Sequence, residues 1–458
     1  MSERIVRVAC GQGFWGDRPE APLEQVTRGP VDYVVMDYLA EVTMSILQKA
    51  RSRDPAQGYA RDFIPVLRSI LPVCVESGIR VLCNAGGVNL EACRDAALET
   101  ARGLGLTGRV RVGTVHGDDI LARLPSLIEA GHEMRNLDTG APLADIVDRI
   151  QSANAYIGAA PLVALLQQGA TVVVAGRSTD TALTYAPVAF EFGWSPEDVD
   201  RYAAGVVAGH LIECGAQVSG GNTMVDWESV PDMANVGHPI IEARADGSFV
   251  VTKHPGTGGR ISRQTVTEQL LYEIGDPRSY ITPDCVADFT TIDLSEAGPD
   301  AVRISGVRGR PRTDSLKVSI AYTDGWKSTG TLVYGWPNAV AKAGAADGIL
   351  RERLDRAGLE LDAIRTEFVG WNATHAALTD HAAENVPEVT LRVSVRGHDR
   401  DAVAAFGMQV QAMVLSGPPG VTGFGGGRPK VQEVVAYWPA LIDRTQVEPF
   451  LRLEVADA

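Results

Sequence analysis

No stretch of the 458 residues comes near the roughly 20 apolar residues that span a bilayer. The opening residues, MSERIVRVACG, hold no apolar segment of signal-peptide length. The six cysteines form no C-x-x-C pair, and each sits in or beside an apolar stretch, so buried free thiols in a reducing compartment are expected. Positive charge is short as well: 42 Lys and Arg stand against 57 Asp and Glu, a net charge of −15. That balance disfavours nucleic acid and anionic membranes as partners, although one local site can still be positive. H-x-x-x-H and H-E-x-x-H are absent, which removes the usual zinc spacings. So are the P-loop, G-x-S-x-G and S-x-x-K patterns, which argues against a P-loop NTPase or a serine hydrolase. There is no internal repeat and no low-complexity tail. A soluble cytoplasmic protein is expected.

The length and the 45% hydrophobic content suit two or three domains with ordinary cores. In the first half, short runs rich in Val and Ile (Ile5–Cys10, Tyr33–Met36, Val81–Cys83, Val110–Val115, Thr171–Ala175) alternate with helical patterns such as Asn89–Leu104 and Ala155–Gln168. Runs without period-2 polarity read as strands covered on both faces. The expectation is an α/β N-terminal domain, residues 1–290, with a parallel sheet, doubly wound or barrel-like, carrying the active site. Residues 291–458 read as an α+β domain with an antiparallel sheet and helices at Ala339–Ala357 and Asp401–Leu415. Ile240–Lys253 reads as a hairpin around a D-G turn.

Residues 10–19, CGQGFWGDRP, place Gly11, Gly13 and Gly16 at the G-x-G-x-x-G spacing. A dinucleotide turn would need a helix to start at Gly16. Trp15, Asp17 and Pro19 oppose that reading, because a bulky ring and a carboxylate would crowd a pyrophosphate and Pro disfavours a running helix. A substrate-lining loop that presents Trp15 and Asp17 is preferred, and no cofactor is expected.

Each strand run is followed by chemically capable side chains. Asp37 and Glu41 follow the second, Asn84 and the Gly86–Gly87 pair the third, His116, Asp118 and Asp119 the fourth, and Arg177, Ser178 and Asp180 the fifth. Ligands of α/β sheets bind outside these strand ends. His116 and Asp118 are candidates to move a proton, and Asp118 with Asp119 could instead ligate Mg²⁺. Asn84 and the Gly86–Gly87 backbone could polarise a carbonyl. Ser178 or Thr179 could cap a helix whose N–H groups, with Arg177, hold a carboxylate or phosphate. Asp17, Asp37 and Glu213 would complete the wall, with His210 three residues before Glu213 on one helix face. The glycine-rich loop Ser416–Lys430 and the basic RGRPR patch at 308–312 are further anion-binding candidates.

Taken together, GFWGDRP, DYLAEVTMSIL, NAGGVN, AYIGAAPLV, GRSTDTALTYAP, GHLIECGAQVSGGN, GTGGR, TVTEQLLYEIGDP and SGPPGVTGFGGGRPK resemble the acyclic terpene utilisation (AtuA) family over roughly residues 4–440. The resemblance implies a place in the breakdown of branched terpenoid acids through acyl-CoA intermediates, beside biotin carboxylases and acyl-CoA dehydrogenases. Many members carry a further C-terminal ferredoxin-like domain that this sequence does not reach, so a separate small ferredoxin-like subunit is one expectation. A homo-oligomer is another. The activity expected is acid/base chemistry on a branched acyl-CoA or related carboxylic acid, of hydratase or lyase type. An acyl-CoA hydrolase and a non-catalytic accessory or scaffold subunit of an acyl-CoA carboxylase pathway are the alternatives.

Overall fold

The computed structural model describes residues 4–224, 226–379, 386–423 and 427–458. Its strands are β1 (Val6–Gln12), β2 (Tyr33–Met36), β3 (Arg80–Cys83), β4 (Arg111–His116), β5 (Ile150–Ala155), β6 (Val172–Ala175), β7 (Pro239–Ala243), β8 (Phe249–Lys253), β9 (Tyr280–Ile281), β10 (Cys285–Asp288), β11 (Asp293–Gly298), β12 (Ala301–Ser305), β13 (Arg308–Pro311), β14 (Ser315–Gly335), β15 (Ala363–Val369), β16 (Glu388–Gly397), β17 (Val421–Gly423), β18 (Gln432–Asp443) and β19 (Arg452–Asp457). The helices are α1 (Ala21–Thr27), α2 (Glu41–Arg53), α3 (Phe63–Ser77), α4 (Leu90–Gly103), α5 (Leu124–Glu129), α6 (Ala160–Gln167), α7 (Ala182–Phe192), α8 (Val199–Ile212), α9 (Arg263–Leu271), α10 (Ala339–Arg356) and α11 (Arg400–Ser416). None of the described helices is long and apolar enough to cross a membrane.

The chain divides into two compact units. One runs to Ala321 and takes back Tyr437–Ala458, and the other is Tyr322–Ala436. The division expected at residue 290 falls inside the first unit. The physical reason is β14, a single 21-residue strand that continues from one unit into the other, so no turn-rich linker marks the change.

The first unit is a mixed α/β structure around a ten-stranded sheet of order β11-β12-β8-β7-β1-β2-β3-β6-β4-β19. The strands β1, β2, β3, β6 and β4 run parallel. The hairpin β7–β8 and the pair β11–β12 extend the sheet antiparallel on one side, and β19 pairs antiparallel with β4 on the other. The sheet path therefore has two ends, β11 and β19, and is open rather than barrel-like. Antiparallel strands expected in a separate C-terminal domain belong to this sheet.

Side-chain alternation explains the layers. Val8, Cys10, Val35, Leu82 and Val173 point to one face and pack with Leu162 and Leu165 of α6, Tyr185 of α7 and Val206 of α8. Ala9, Val34, Met36, Val81 and Val174 point to the other and pack with Val26, Leu47, Leu67 and Leu98 of α1 to α4. Both faces of the parallel strands are covered, which is why these runs show no period-2 polarity.

Two local expectations change. The segment expected as one helix, Ala155–Gln168, is the end of β5 followed by α6, because Pro161 sits where a helix begins rather than within one. The runs Leu316–Tyr322 and Thr331–Tyr334, which by sequence read as two separate strands, are parts of the one strand β14. In the second unit the sheet order is β15-β16-β14-β17. Buried Val389, Leu391, Val393 and Val395 alternate along β16 and meet Leu350 of α10 and Phe406 of α11.

Candidate active site

A cavity of about 360 Å³ opens in the first unit. Its polar wall is Glu41, Tyr156, Arg177, Asp180, His210, Glu213, Glu273 and Lys317, and Leu137, Ile281, Leu316 and Leu441 supply apolar surface.

Arg177 follows the end of β6. Gly176 leaves room for the Asp118 carboxylate, whose Oδ2 accepts the Arg177 backbone N–H at 2.9 Å. The Arg177 side chain is 1% exposed. Its Nη1 donates to the Leu39 carbonyl and to Asp180 Oδ1, both at 2.7 Å, and its Nη2 donates to Tyr156 Oη at 3.0 Å. The guanidinium lies 4.2 Å from the Tyr156 ring centre. Burial works against this charge, but Asp180, Tyr156, Asp37 and Glu41 outweigh it and hold the guanidinium firmly protonated. Arg177 Nε is buried without a partner.

Tyr156, just past β5, donates its hydroxyl to Glu41 Oε1 at 2.5 Å. Lys317, on β14, is the accessible cation: its side chain is 43% exposed, against 2% for Arg177. Its Nζ lies 3.5 Å from Glu41 Oε1 and 4.9 Å from the Tyr156 ring centre. Burial raises the Glu41 carboxyl, and Arg177 and the Tyr156 hydroxyl more than reverse that, so it stays ionised.

The opposite wall carries a histidine–carboxylate pair. His210 occupies the last turn of α8 and Glu213 follows its end. His210 Nε2 faces the Gln269 carbonyl at 2.8 Å, and a carbonyl can only accept, so Nε2 carries a proton. Nδ1 is 2.9 Å from Glu213 Oε1. One proton must lie between those two atoms. Burial raises the Glu213 carboxyl and Asp180 and Glu273 add to it, while for His210 burial is outweighed by Glu213. The pair therefore keeps its proton to higher pH than either group alone. Glu213 Oε2 is buried without a hydrogen-bond partner.

Of the residues expected at the site, Glu41, Arg177, Thr179, Asp180, His210 and Glu213 line this cavity. The others lie elsewhere on or near the same sheet edge, which is a row and not a ring: β1 to β4 spans four strand spacings, about 19 Å. Asn84 is spent internally, its amide donating to Asp37 Oδ1 at 2.6 Å and its oxygen accepting the Tyr38 N–H at 2.7 Å. Burial, then Asp180, pushes the Asp37 carboxyl well up. The Gly86 and Gly87 N–H groups bond the Ala175 and Asn84 carbonyls. A Cβ on Gly86 or Gly87 would come within 2.4 Å of Leu90 or Leu47, so these glycines admit protein rather than a ligand.

His116 Nε2 is 3.0 Å from Thr114 Oγ1, with Glu91 and Glu454 3.6 and 3.7 Å away. Asp118 also accepts the Asn154 amide at 3.0 Å, and burial pushes its carboxyl up to about 7. Asp119 Oδ1 accepts the Leu121 N–H. Among the described residues, no group of three or more His, Cys, Asp and Glu side chains is placed to hold a metal ion.

The glycine turn after β1 starts no helix at Gly16; α1 begins at Ala21 with Pro22 in its first turn. Asp17 closes the turn, accepting the Gly13 N–H at 2.8 Å and facing His238 Nε2 at 3.1 Å. A Cβ on Gly13 would lie 2.3 Å from the Gly215 nitrogen, so a second chain segment occupies the space a pyrophosphate would need. Trp15 donates to Asp62 at 2.7 Å. Ser178 is not a helix cap: α7 starts at Ala182, its cap position is Thr181, and the Ser178 hydroxyl is buried without a partner. Residues 424–426 of the Ser416–Lys430 loop lie outside the described residues.

Tyr156, Glu273, Tyr280 and Lys317 were not singled out from sequence. They enter from β5, β9, β14 and the stretch after α9. Two basic residues flanking an aromatic at helix or strand spacing would not have marked them, because they are distant in sequence.

No curated protein and no solved structure gives a significant match. A sequence profile described as "Acyclic terpene utilisation family protein AtuA" matches residues 6–453. With that span covered, the chain belongs to the acyclic terpene utilisation family AtuA, whose name ties it to the use of acyclic terpenes.

Proposed function

We propose that the protein is an acid/base catalyst acting on a branched acyl thioester, adding or removing water across a carbon–carbon double bond. The observation that carries this reading is the His210–Glu213 contact of 2.9 Å in the wall of a cavity that also holds apolar surface. His210 fixes Glu213 Oε1 and leaves Oε2 uncommitted. A raised carboxyl beside a positioned imidazole suits a group that both takes and returns a proton.

In the hydration direction, the Glu213 carboxylate takes a proton from water as the water oxygen bonds to the carbon two atoms from the thioester carbonyl. The carbon–carbon π pair moves toward the thioester oxygen, and the carboxyl then delivers its proton to the carbon between. One water is consumed and Glu213 is regenerated. Lys317, the accessible cation, is suited to the developing negative charge on the thioester oxygen. Arg177 has a different part: its four placed contacts hold Glu41, Tyr156 and Asp180 in the wall. Ile281, Leu316 and Leu441 would meet the hydrocarbon chain.

The test is incubation with branched enoyl- and hydroxyacyl-CoA thioesters, read by mass spectrometry for gain or loss of water. Turnover that falls by about a hundredfold or more in Glu213→Gln, with an unchanged melting temperature, is the expected result. No mass change over the panel, with or without added magnesium, rejects hydratase chemistry.

A further inference from the structure

Chain segments that build the wall around Glu213 continue into a second hollow. Tyr156 lines the cavity, and Ile157 and Gly158, next in sequence, line a pocket of about 260 Å³. Ile281 and Thr282 line the cavity, and Asp284 lines the pocket. Pro283 and Leu316 belong to both linings. The two spaces therefore adjoin within the first unit, with Pro283 and Leu316 as their common wall. The start of α6, at Ala160 and Pro161, and Leu451 just before β19 supply more of the pocket.

The pocket differs from the cavity in what its polar groups are free to do. Arg312 and Arg444 both donate to Glu448 Oε1, at 2.8 and 2.7 Å. Arg444 spends its other nitrogens on the Thr313 and Pro283 carbonyls. Asp284 accepts the Ala159 N–H at 3.1 Å. Among the described residues, no side chain of this lining holds a buried polar atom without a partner, whereas Glu213 Oε2 and Arg177 Nε stand so in the cavity. The remaining side chains of the pocket, Ile157, Ala160, Pro161, Pro283, Leu316 and Leu451, are apolar. Such a space gains from apolar atoms. A dry cavity of about 150 Å³ admits benzene, so this larger pocket has room for roughly six carbons or more.

We propose that this pocket receives the hydrocarbon tail of the thioester whose reacting carbons lie at Glu213, and that Ala160 and Leu451 set the chain length the protein accepts. The inference rests on the acyl-thioester reading and deepens it: the cavity takes the polar, reacting end, and the tail passes Pro283 and Leu316 into the pocket.

Calorimetric titration of the full-length protein with butanoyl-, hexanoyl-, octanoyl- and decanoyl-CoA tests it. These chains have no double bond to hydrate, so binding is read apart from turnover. Affinity should rise with length, by up to about fourfold for each methylene buried. Ala160→Trp fills the pocket from an exposed position at the start of α6. It should weaken decanoyl-CoA at least about tenfold and leave butanoyl-CoA within about twofold, because only the longer chain loses buried methylenes. Leu451→Ala enlarges the pocket and should carry the rise on to dodecanoyl-CoA, a gain that misfolding cannot mimic. Flat affinity along the series, no binding by any member, or a loss in Ala160→Trp that is equal at every length overturns the pocket, even if enoyl thioesters gain water. Length-dependent binding that Ala160→Trp abolishes, with no hydration of any enoyl thioester, upholds the pocket and removes the hydratase.

Discussion

Two groups of polar residues sit along the same edge of the sheet, with different fates. Around β2 and β3, Asp37, Asn84 and the Tyr38 N–H satisfy one another, and Asp17 at the end of β1 is consumed by Gly13, Arg18 and His238. Around β6 and α8, Arg177, Tyr156 and Glu41 form a connected chain that faces a cavity, and Glu213 Oε2 and Arg177 Nε are left over. Position at a strand end brings a side chain to the edge. It does not leave that side chain free for a substrate. What separates the two groups is whether the hydrogen-bonding capacity is already used.

The largest effect should come from cutting the chain at its buried centre. Arg177→Met keeps most of the volume and removes the charge that Asp180, Glu41 and the Leu39 carbonyl share. Removing one side of a fully buried ion pair costs about 3–5 kcal/mol, and with Asp180 and Glu41 more than a third exposed to water the loss here should be about 2–3 kcal/mol. Urea unfolding should show that loss, with the m-value unchanged. A loss under about 1 kcal/mol would mean the guanidinium is not the anchor of this wall.

These contacts also mark what could be read from the sequence. The β-α alternation was legible because strands covered on both faces carry unbroken runs of Val and Ile, as in VVVA of β6, all buried. Helix α4 was legible from its period and from Asn89, whose oxygen accepts the Ala92 N–H at its start. The D-G hairpin β7–β8 was legible from its turn. The cavity was legible only in part. Arg177 and Asp180 follow a strand and Glu213 follows a helix, all positions that draw attention. Tyr156 and Lys317 do not: one was hidden in a stretch that looked helical because β5 ends in small residues, and the other lies in a long strand. They meet across 161 residues of sequence, through the Tyr156 N–H on the Lys317 carbonyl at 2.9 Å and the Lys317 ammonium over the Tyr156 ring, and no local pattern encodes such a pairing. The return of β19 to the edge of β4 was equally unreadable, since its burial is set by a partner more than 300 residues away.

An intermediate effect concerns Asp118, which supports the loop of Arg177 without lining the cavity. Both of its hydrogen bonds reach Oδ2, leaving Oδ1 for a proton, and burial holds the carboxyl near about 7. In the unfolded chain it ionises near 4. Between those values the folded form keeps a proton that the unfolded form has lost, so this group's contribution to stability falls as pH rises. Asp118→Asn mimics the protonated acid, with its oxygen in the place of Oδ2. The variant should gain on the wild type by roughly 2–3 kcal/mol between pH 5 and pH 7, at about 1.4 kcal/mol for each pH unit. Unfolding midpoints at the two pH values measure it. Parallel pH profiles of the two proteins would show that Asp118 is ionised throughout and would weaken the contrast drawn here.

The smallest effect should come from the histidine that the sequence placed first. His116 ends β4, with Thr114 as its hydrogen-bond partner and two carboxylates beyond 3.5 Å, and it is absent from the cavity wall. His210 is locked from both ring nitrogens and packed edge-on against Phe289 at 5.4 Å. If proton transfer belongs to the cavity, His116→Gln costs about 1 kcal/mol of stability, the worth of one hydrogen bond, and leaves turnover of the responsive thioester unchanged. His210→Gln instead lowers turnover by about a hundredfold, because Glu213 loses the partner that orients it. Assaying the two variants side by side over pH 5 to 9 settles the matter in either direction. A loss of turnover in His116→Gln alone would move the chemistry out of the cavity to the end of β4, and would make strand-end position a better guide to function than a place in the cavity wall.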